Sequence, residues 1–227
     1  MTKPTLHFYF DFISPYAYLA WHKFRKLAAE HDWQAECHPV VFAALLDHWG
    51  QLGPAEIPPK RIHVFKQTYR MAHRLGVPFA GPKTHPFRSI DALRLSLPAV
   101  AGDKQEKVID ALWSAGWGHG IEYSDKATLV RVLDDIGLDG SAMLAKTQEP
   151  DVKTLLHTST KEAIEKGVFG VPTVVVGKEV FWGCDTFDDL LDVMTGKDPI
   201  TPEVLGYLTE HRPSAMRARV RDKMPPS

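Results

Sequence analysis

Ser14 stands where an apolar strand gives way to a helix, and Pro15 follows it. The surrounding stretch reads Phe10-Asp11-Phe12-Ile13-Ser14-Pro15-Tyr16-Ala17-Tyr18-Leu19. Ser is favoured as the residue that caps a helix, and Pro is favoured in the first helical position. The spacing therefore predicts a well-capped helix start. It also sets a hydroxyl at the positive end of a helix dipole, where an anion is stabilised. Taken alone, the stretch fits both a purely structural cap and an anion-stabilising hydroxyl. A serine nucleophile needs a paired base, and no His lies beside Ser14 in the sequence, which argues against a serine hydrolase.

Other chemistries have less support. The two cysteines, Cys37 and Cys184, are far apart and belong to no Cys-x-x-Cys, so neither a disulfide framework nor a zinc knuckle is expected. The eleven histidines are scattered, without a His-x-x-x-His pair on one helix face, and the expectation is no metal. The net charge of -1 offers nothing for nucleic acid or an anionic membrane. No apolar run approaches a membrane span, and no signal-peptide pattern opens the chain. A cytoplasmic location is the default expectation. The 44% hydrophobic and 24% charged content is that of a globular protein with one large domain or a domain carrying an insertion.

The elements that must position Ser14 follow from periodicity. Leu6 to Asp11 is short, apolar and β-rich, and reads as a strand buried on both faces. Ser14 to about Glu30 reads as a helix, with Tyr18, Leu19, Trp21, Phe24, Leu27 and Ala28 at helical spacing. Gln34 to Val41 reads as a second strand, which completes a right-handed βαβ unit. Residues 42–140 then carry helices punctuated by Pro and Gly, with no convincing strand. Lys60 to Arg74, Phe87 to Ala101, Lys104 to Gly116 and Asp125 to Ile136 are the predicted helices there. Strands return after a helix from Asp151 to Lys166. Thr173 to Val176 and Glu179 to Trp182 form a predicted hairpin, and a helix from Asp185 to Met194 follows. Val171-Pro172 enters a strand that should be central, where Pro cannot donate to the ladder, so a tight turn is expected. If the wider pattern holds, that bond is cis. The Pro-rich, then basic, tail beyond Asp198 is expected to be a solvated, frayed terminus.

The order β-α-β, helical block, α-β-β-α resembles thioredoxin-fold proteins with a helical insertion. In redox members of that superfamily a Cys-x-x-Cys opens the first helix and faces a cis-proline loop. Here Ser14-Pro15-Tyr16-Ala17 occupies those positions. Dithiol exchange needs an attacking and a resolving thiol, and both are missing. The serine version resembles the 2-hydroxychromene-2-carboxylate isomerases and the kappa-class glutathione transferases. Five stretches carry the likeness: Phe8 to Tyr16, Gly53 to Lys60, His85-Pro86-Phe87 with Ala92-Leu93-Arg94, Gly167 to Thr173, and Phe181 to Asp185. The implied architecture is α/β, a DsbA-like thioredoxin fold. Its discontinuous main domain would comprise residues 1–41 and 147–200, with a helical insertion at 42–146 and a tail at 201–227.

The resemblance implies a bound glutathione. Ser14 would hydrogen-bond its sulfur and, with the helix dipole, favour thiolate, the nucleophilic form. Val171, before Pro172, would pair its backbone with the cysteinyl unit. Lys60 would meet a carboxylate and Asp185 the γ-glutamyl amine. Without the resemblance, Lys60 reads as a solvated lysine and Asp185 as a helix cap. Cys184 stands where relatives often have Asn or Ser, Gln51 where transferase relatives place Asn, and Arg88 where isomerase relatives continue with Asn. Arg88 and Arg94 are the candidate cations for a substrate carboxylate, and Phe12, Trp49 and Phe87 the candidate apolar walls. The implied function is a glutathione-dependent isomerase acting on a small aromatic carboxylate, as a homodimer. A kappa-like transferase or peroxidase, and a non-catalytic binding module that kept the fold, are the alternatives.

Overall fold

The computed structural model describes residues 3–211. Strand β1 (Thr5–Phe10) leads into helix α1 (Pro15–Glu30), and strand β2 (Gln34–Pro39) returns parallel to β1. Strand β3 (Thr173–Val176) lies antiparallel on the other side of β1, and β4 (Glu179–Trp182) completes a four-stranded sheet of order β2-β1-β3-β4. β1 and β3 are therefore the inner strands. Between β2 and the long helix α9 (Pro150–Glu165) every regular element is helical: α2 (Phe42–Trp49), α3 (Pro58–Leu75), α4 (Ile90–Leu95), α5 (Pro98–Ala101), α6 (Gln105–Trp113), α7 (Lys126–Asp134) and α8 (Gly140–Lys146), with short tighter or wider turns between some of them. Helices α10 (Phe187–Met194) and α11 (Pro202–Thr209) follow the sheet.

The alternation of β1 sends its side chains to two different cores. Phe8 and Phe10 face α1. The Phe8 ring stacks on Phe24 at 4.7 Å and tilts against Trp21 at 5.9 Å, and all four side chains are fully buried. Tyr9 faces the opposite way. It joins Val40, Leu45, Ala163, Val168, Val171 and Val175, the core under α9. Burying one such aromatic contributes about 1.5–3 kcal/mol. α1 and α9 are thereby fixed on opposite faces of the sheet, and the turn after β1 leaves the C-terminal end of an inner strand between them.

Three predicted boundaries are corrected. The single helix expected from Phe87 to Ala101 is two short ones, because Leu97 takes an extended conformation (ψ 141) ahead of Pro98, which disfavours a helical predecessor. The helix expected to run from Lys104 to Gly116 ends at Trp113 and widens into a looser turn over Ser114–Gly118. The tail is ordered over Pro202–Thr209, where Thr201 caps α11 by accepting from Val204 N. The basic residues Arg212, Arg217, Arg219, Arg221 and Lys223 lie outside the described residues.

Candidate active site

Ser14 occupies the N-cap of α1. Its backbone is extended there, and Oγ accepts the Ala17 N–H at 3.2 Å. Its own proton points to the carbonyl of Val171 at 3.4 Å, a long contact. The hydroxyl is thus an acceptor toward the helix and a donor toward the loop before β3. The Val171–Pro172 bond is cis, and so is His85–Pro86. Val171 is buried, yet its N–H has no partner among the described residues. A buried N–H is ordinarily paired. The Ser14 hydroxyl thus sits at the positive end of the α1 dipole, beside the Val171 backbone, where an anion is stabilised.

The turn that presents Ser14 is held carbonyl by carbonyl. Asp11 O accepts from Ser14 N at 3.0 Å, Phe12 O from the Trp117 indole at 2.7 Å, and Ile13 O from His85 Nε2 at 2.9 Å. The Asp11 carboxylate accepts from Ile13 N and from Phe42 N, both at 3.0 Å, which ties the turn to the start of α2. Burial raises the Asp11 carboxyl above its ordinary value, against the hydrogen bonds from Ser89, Phe42 and Ile13. Burial also lowers the His85 imidazole, which keeps it neutral with its Nε2 proton on Ile13 O. Asp11, His85 and Trp117 were given no role by sequence reasoning. The available signal was the Gly116-Trp117-Gly118 triplet. A Cβ at Gly116 would fall 2.1 Å from the Tyr123 ring, so that Gly leaves room for Tyr123 beside Trp117.

The predicted residues divide into two groups. Cys184 and Asp185 lie close to the first turn of α1. Lys23 donates to Cys184 O at 3.0 Å, and the Tyr16 phenol is raised first by burial and then by the neighbouring Cys184 and Asp185. Asp185 is exposed and does not cap α10, whose N-cap is Thr186. Trp49 donates its indole N–H to Val168 O at 3.0 Å, and so borders the loop that ends in Val171. Lys60 is exposed in the first turn of α3. It precedes by two helical turns Gln67, which accepts from the Tyr16 hydroxyl at 2.6 Å, and so shares the face turned to α1. Gln51 and Arg88 are exposed, and Pro172 lies in the cis turn.

The remaining assignments need correction. Phe12 is fully buried, packed at 4.6 Å on Trp113, so it belongs to the core and not to a pocket wall. Phe87 is nearly as buried and stacks on Tyr123 at 4.8 Å. Arg94 borders a hollow of about 380 Å³ shared with Val41, Leu156, His157 and Thr160, on the α9 side and away from α1. The Cys184 side chain is only 2% exposed, and burial pushes its thiol up to about 11, so it offers no thiolate at neutral pH. The metal expectation rested on spacing along a helix. Across β1 and β2, however, His7, Glu36 and His38 bring their ligand atoms together.

Residues 5–195 match the model of the DSBA-like thioredoxin domain family. A 2-hydroxychromene-2-carboxylate isomerase from Sphingobium xenophagum is 33% identical over 84% of this chain and 97% of its own. A glutathione S-transferase kappa 2 from Caenorhabditis elegans is 26% identical over 96% and 97%, respectively. The solved structure of a 2-hydroxychromene-2-carboxylate isomerase superposes with a TM-score of 0.78 at 26% identity, covering 85% of this chain and 95% of that one. The chain belongs to the DsbA-like thioredoxin-fold proteins and, among them, to the 2-hydroxychromene-2-carboxylate isomerase family, with the kappa-class transferases as relatives. Like the members named here, it is assigned as an isomerase.

Proposed function

We propose that the protein is a glutathione-dependent isomerase that interconverts 2-hydroxychromene-2-carboxylate and trans-o-hydroxybenzylidenepyruvate, or a related intermediate of aromatic degradation. The observation that carries this reading is the Ser14 hydroxyl at the N-cap of α1, facing the Val171 carbonyl of the cis-proline turn with no cysteine beside it. The donor set fits the tripeptide. The unpartnered Val171 N–H suits a peptide carbonyl, the Ser14 proton suits a sulfur anion, and the exposed Asp185 and Lys60 carry charges opposite to an amine and a carboxylate.

Bound glutathione supplies a soft nucleophile that adds reversibly to a conjugated ring-opened substrate, so that a double bond becomes rotatable. Ser14 holds the sulfur in its charged form by donating a hydrogen bond to it. The rigid carbonyls of residues 11–13 keep Oγ in place while this happens. Arg88, exposed in the loop before α4, is a candidate cation for the substrate carboxylate, and Trp49 is one of the exposed aromatic surfaces next to the Val171 loop, Trp182 being another.

No helix among the described residues is long and apolar enough to cross a membrane. A homodimer in the cytoplasm completes the proposal, by likeness to the family. Turnover of 2-hydroxychromene-2-carboxylate is expected to fall to background when glutathione is omitted, and to leave glutathione unconsumed when it is present. Undiminished turnover without glutathione overturns the proposal. Stoichiometric loss of glutathione moves the assignment to the transferase chemistry of the kappa relatives.

A further inference from the structure

A second group of chemistry-bearing side chains meets midway along β1 and β2. In the parallel pairing, His7 stands opposite Glu36 and Tyr9 opposite His38. Alternation along each strand then places His7, Glu36 and His38 on one face of the sheet, the face that carries Tyr9 and Val175. His7 is the third of the six residues of β1 and His38 stands opposite Tyr9, so the group lies midway along the strand, before the Ser14 turn.

The geometry is close. His7 Nδ1 lies 3.0 Å from His38 Nε2 and 3.3 Å from Glu36 Oε2, and His38 Nε2 lies 3.7 Å from the same oxygen. Bonds of about 2.0–2.1 Å in a tetrahedral shell place neighbouring ligand atoms about 3.3–3.4 Å apart. The triangle of donors has that size as it stands. The side chains are one-quarter to under one-half exposed, so solvent reaches the group and completes a coordination shell.

We propose that His7, Glu36 and His38 form a binding site for a divalent first-row transition ion, with Zn2+ the best fit. Two imidazoles and one carboxylate suit such ions, whereas Mg2+ and Ca2+ require shells built of oxygen. The charge on the neighbouring element is mixed. From α9 and the residue after it, Glu162 and Lys166 both act on Tyr9, and the Lys166 ammonium lies over the Tyr9 ring at 5.9 Å. Lys166 opposes a cation and Glu162 favours one, so Glu36 decides the sign of the site. Without an ion, the contact between the two rings serves as a hydrogen bond from one neutral imidazole to the other.

The test is calorimetric titration of the full-length, untagged chain with Zn2+, with Co2+ as a visible probe of coordination. The expected result is one ion per chain and an intense visible Co2+ band that Zn2+ abolishes and Mg2+ does not. Glu36→Gln and His7→Asn should each weaken binding by at least the roughly 10–100-fold that loss of an outer-shell partner costs. Lys166→Gln should tighten it, and His31→Asn, at an exposed histidine elsewhere, should leave it unchanged. Glu36 is a partly exposed strand residue, so its Gln variant keeps the fold and decides the matter if His7→Asn does not. Absence of stoichiometric uptake, or uptake unchanged in Glu36→Gln, overturns the proposal. Neither outcome bears on the glutathione reading, because the measurement follows metal and not turnover.

Discussion

Strand β1 carries polar chemistry midway along its length and at its C-terminal end, and the two places are built differently. At its C-terminal end, one continuous turn supplies Asp11, Phe12, Ile13 and Ser14, and groups from residues 42, 85 and 117 bond to its backbone and carboxylate. Midway along it, His7 meets Glu36 and His38 through side chains alone, on a strand pair whose backbone is regular. The first arrangement fixes one hydroxyl in place. The second leaves three donors half-exposed, free to adjust around whatever they bind. A pinned turn suits an interaction that must be maintained through a reaction, while adjustable side chains suit a ligand that brings its own geometric demand.

The largest expected effect comes from the pinning. Trp117→Ala removes a fully buried indole and the bond to Phe12 O, and should destabilise the protein by about 3–5 kcal/mol in urea unfolding. A loss under about 1 kcal/mol means that the turn is held by other contacts. Asp11→Ala should cost about 2–4 kcal/mol, because the N–H groups of Ile13 and Phe42 lose their shared acceptor in a buried place. Activity should fall with stability in both variants.

Ser14→Ala separates cap from chemistry. Loss of the cap should cost about 1 kcal/mol of stability. Loss of a hydrogen bond to a charged sulfur should cost about 1.5–3 kcal/mol in the transition state, roughly 10–100-fold in kcat. Equal and small losses in both measurements would reduce Ser14 to a cap.

His85→Gln is expected to have a smaller effect, and its signature is pH. The folded-state pKa of His85 lies below its unfolded value because burial disfavours the imidazolium. The unfolded chain therefore binds the proton first, and stability falls as pH drops through and below the ordinary histidine range near 6.5. His85→Gln should flatten that part of the stability–pH curve. A curve of unchanged slope assigns the acid sensitivity to another group. The smallest effect should come at mid-strand, where Glu36→Gln should shift stability by less than about 0.5 kcal/mol while changing metal uptake.

The same contrast explains what could be read from the sequence. The Ser14 turn was legible because a Ser-Pro cap, a preceding apolar strand and a missing Cys-x-x-Cys lie in one short stretch. The helical block was legible from periodicity, the tight turn at Val171-Pro172 from a proline at the mouth of an inner strand, and its cis bond only from the wider pattern. The roles of His85 and Trp117 were not legible, since each reaches the turn across more than seventy residues of chain. Phe12 was misread because its aromatic type fits a pocket wall as well as a core, and only packing decides between them. The His7–Glu36–His38 group was missed because helix spacing was the pattern sought, whereas Glu36 and His38 are two apart on a strand and His7 joins by register.

The central claim is that Ser14 and the start of α1 hold a borrowed sulfur as thiolate. The most direct measurement is titration of glutathione bound to the wild-type protein, followed by the ultraviolet absorbance of the thiolate, alongside the same titration for Ser14→Ala. The account predicts a bound thiol pKa at least about one unit below that of free glutathione, and its return toward the free value in Ser14→Ala. A bound thiol that titrates like free glutathione, or one whose depressed pKa is unchanged in Ser14→Ala, would contradict it.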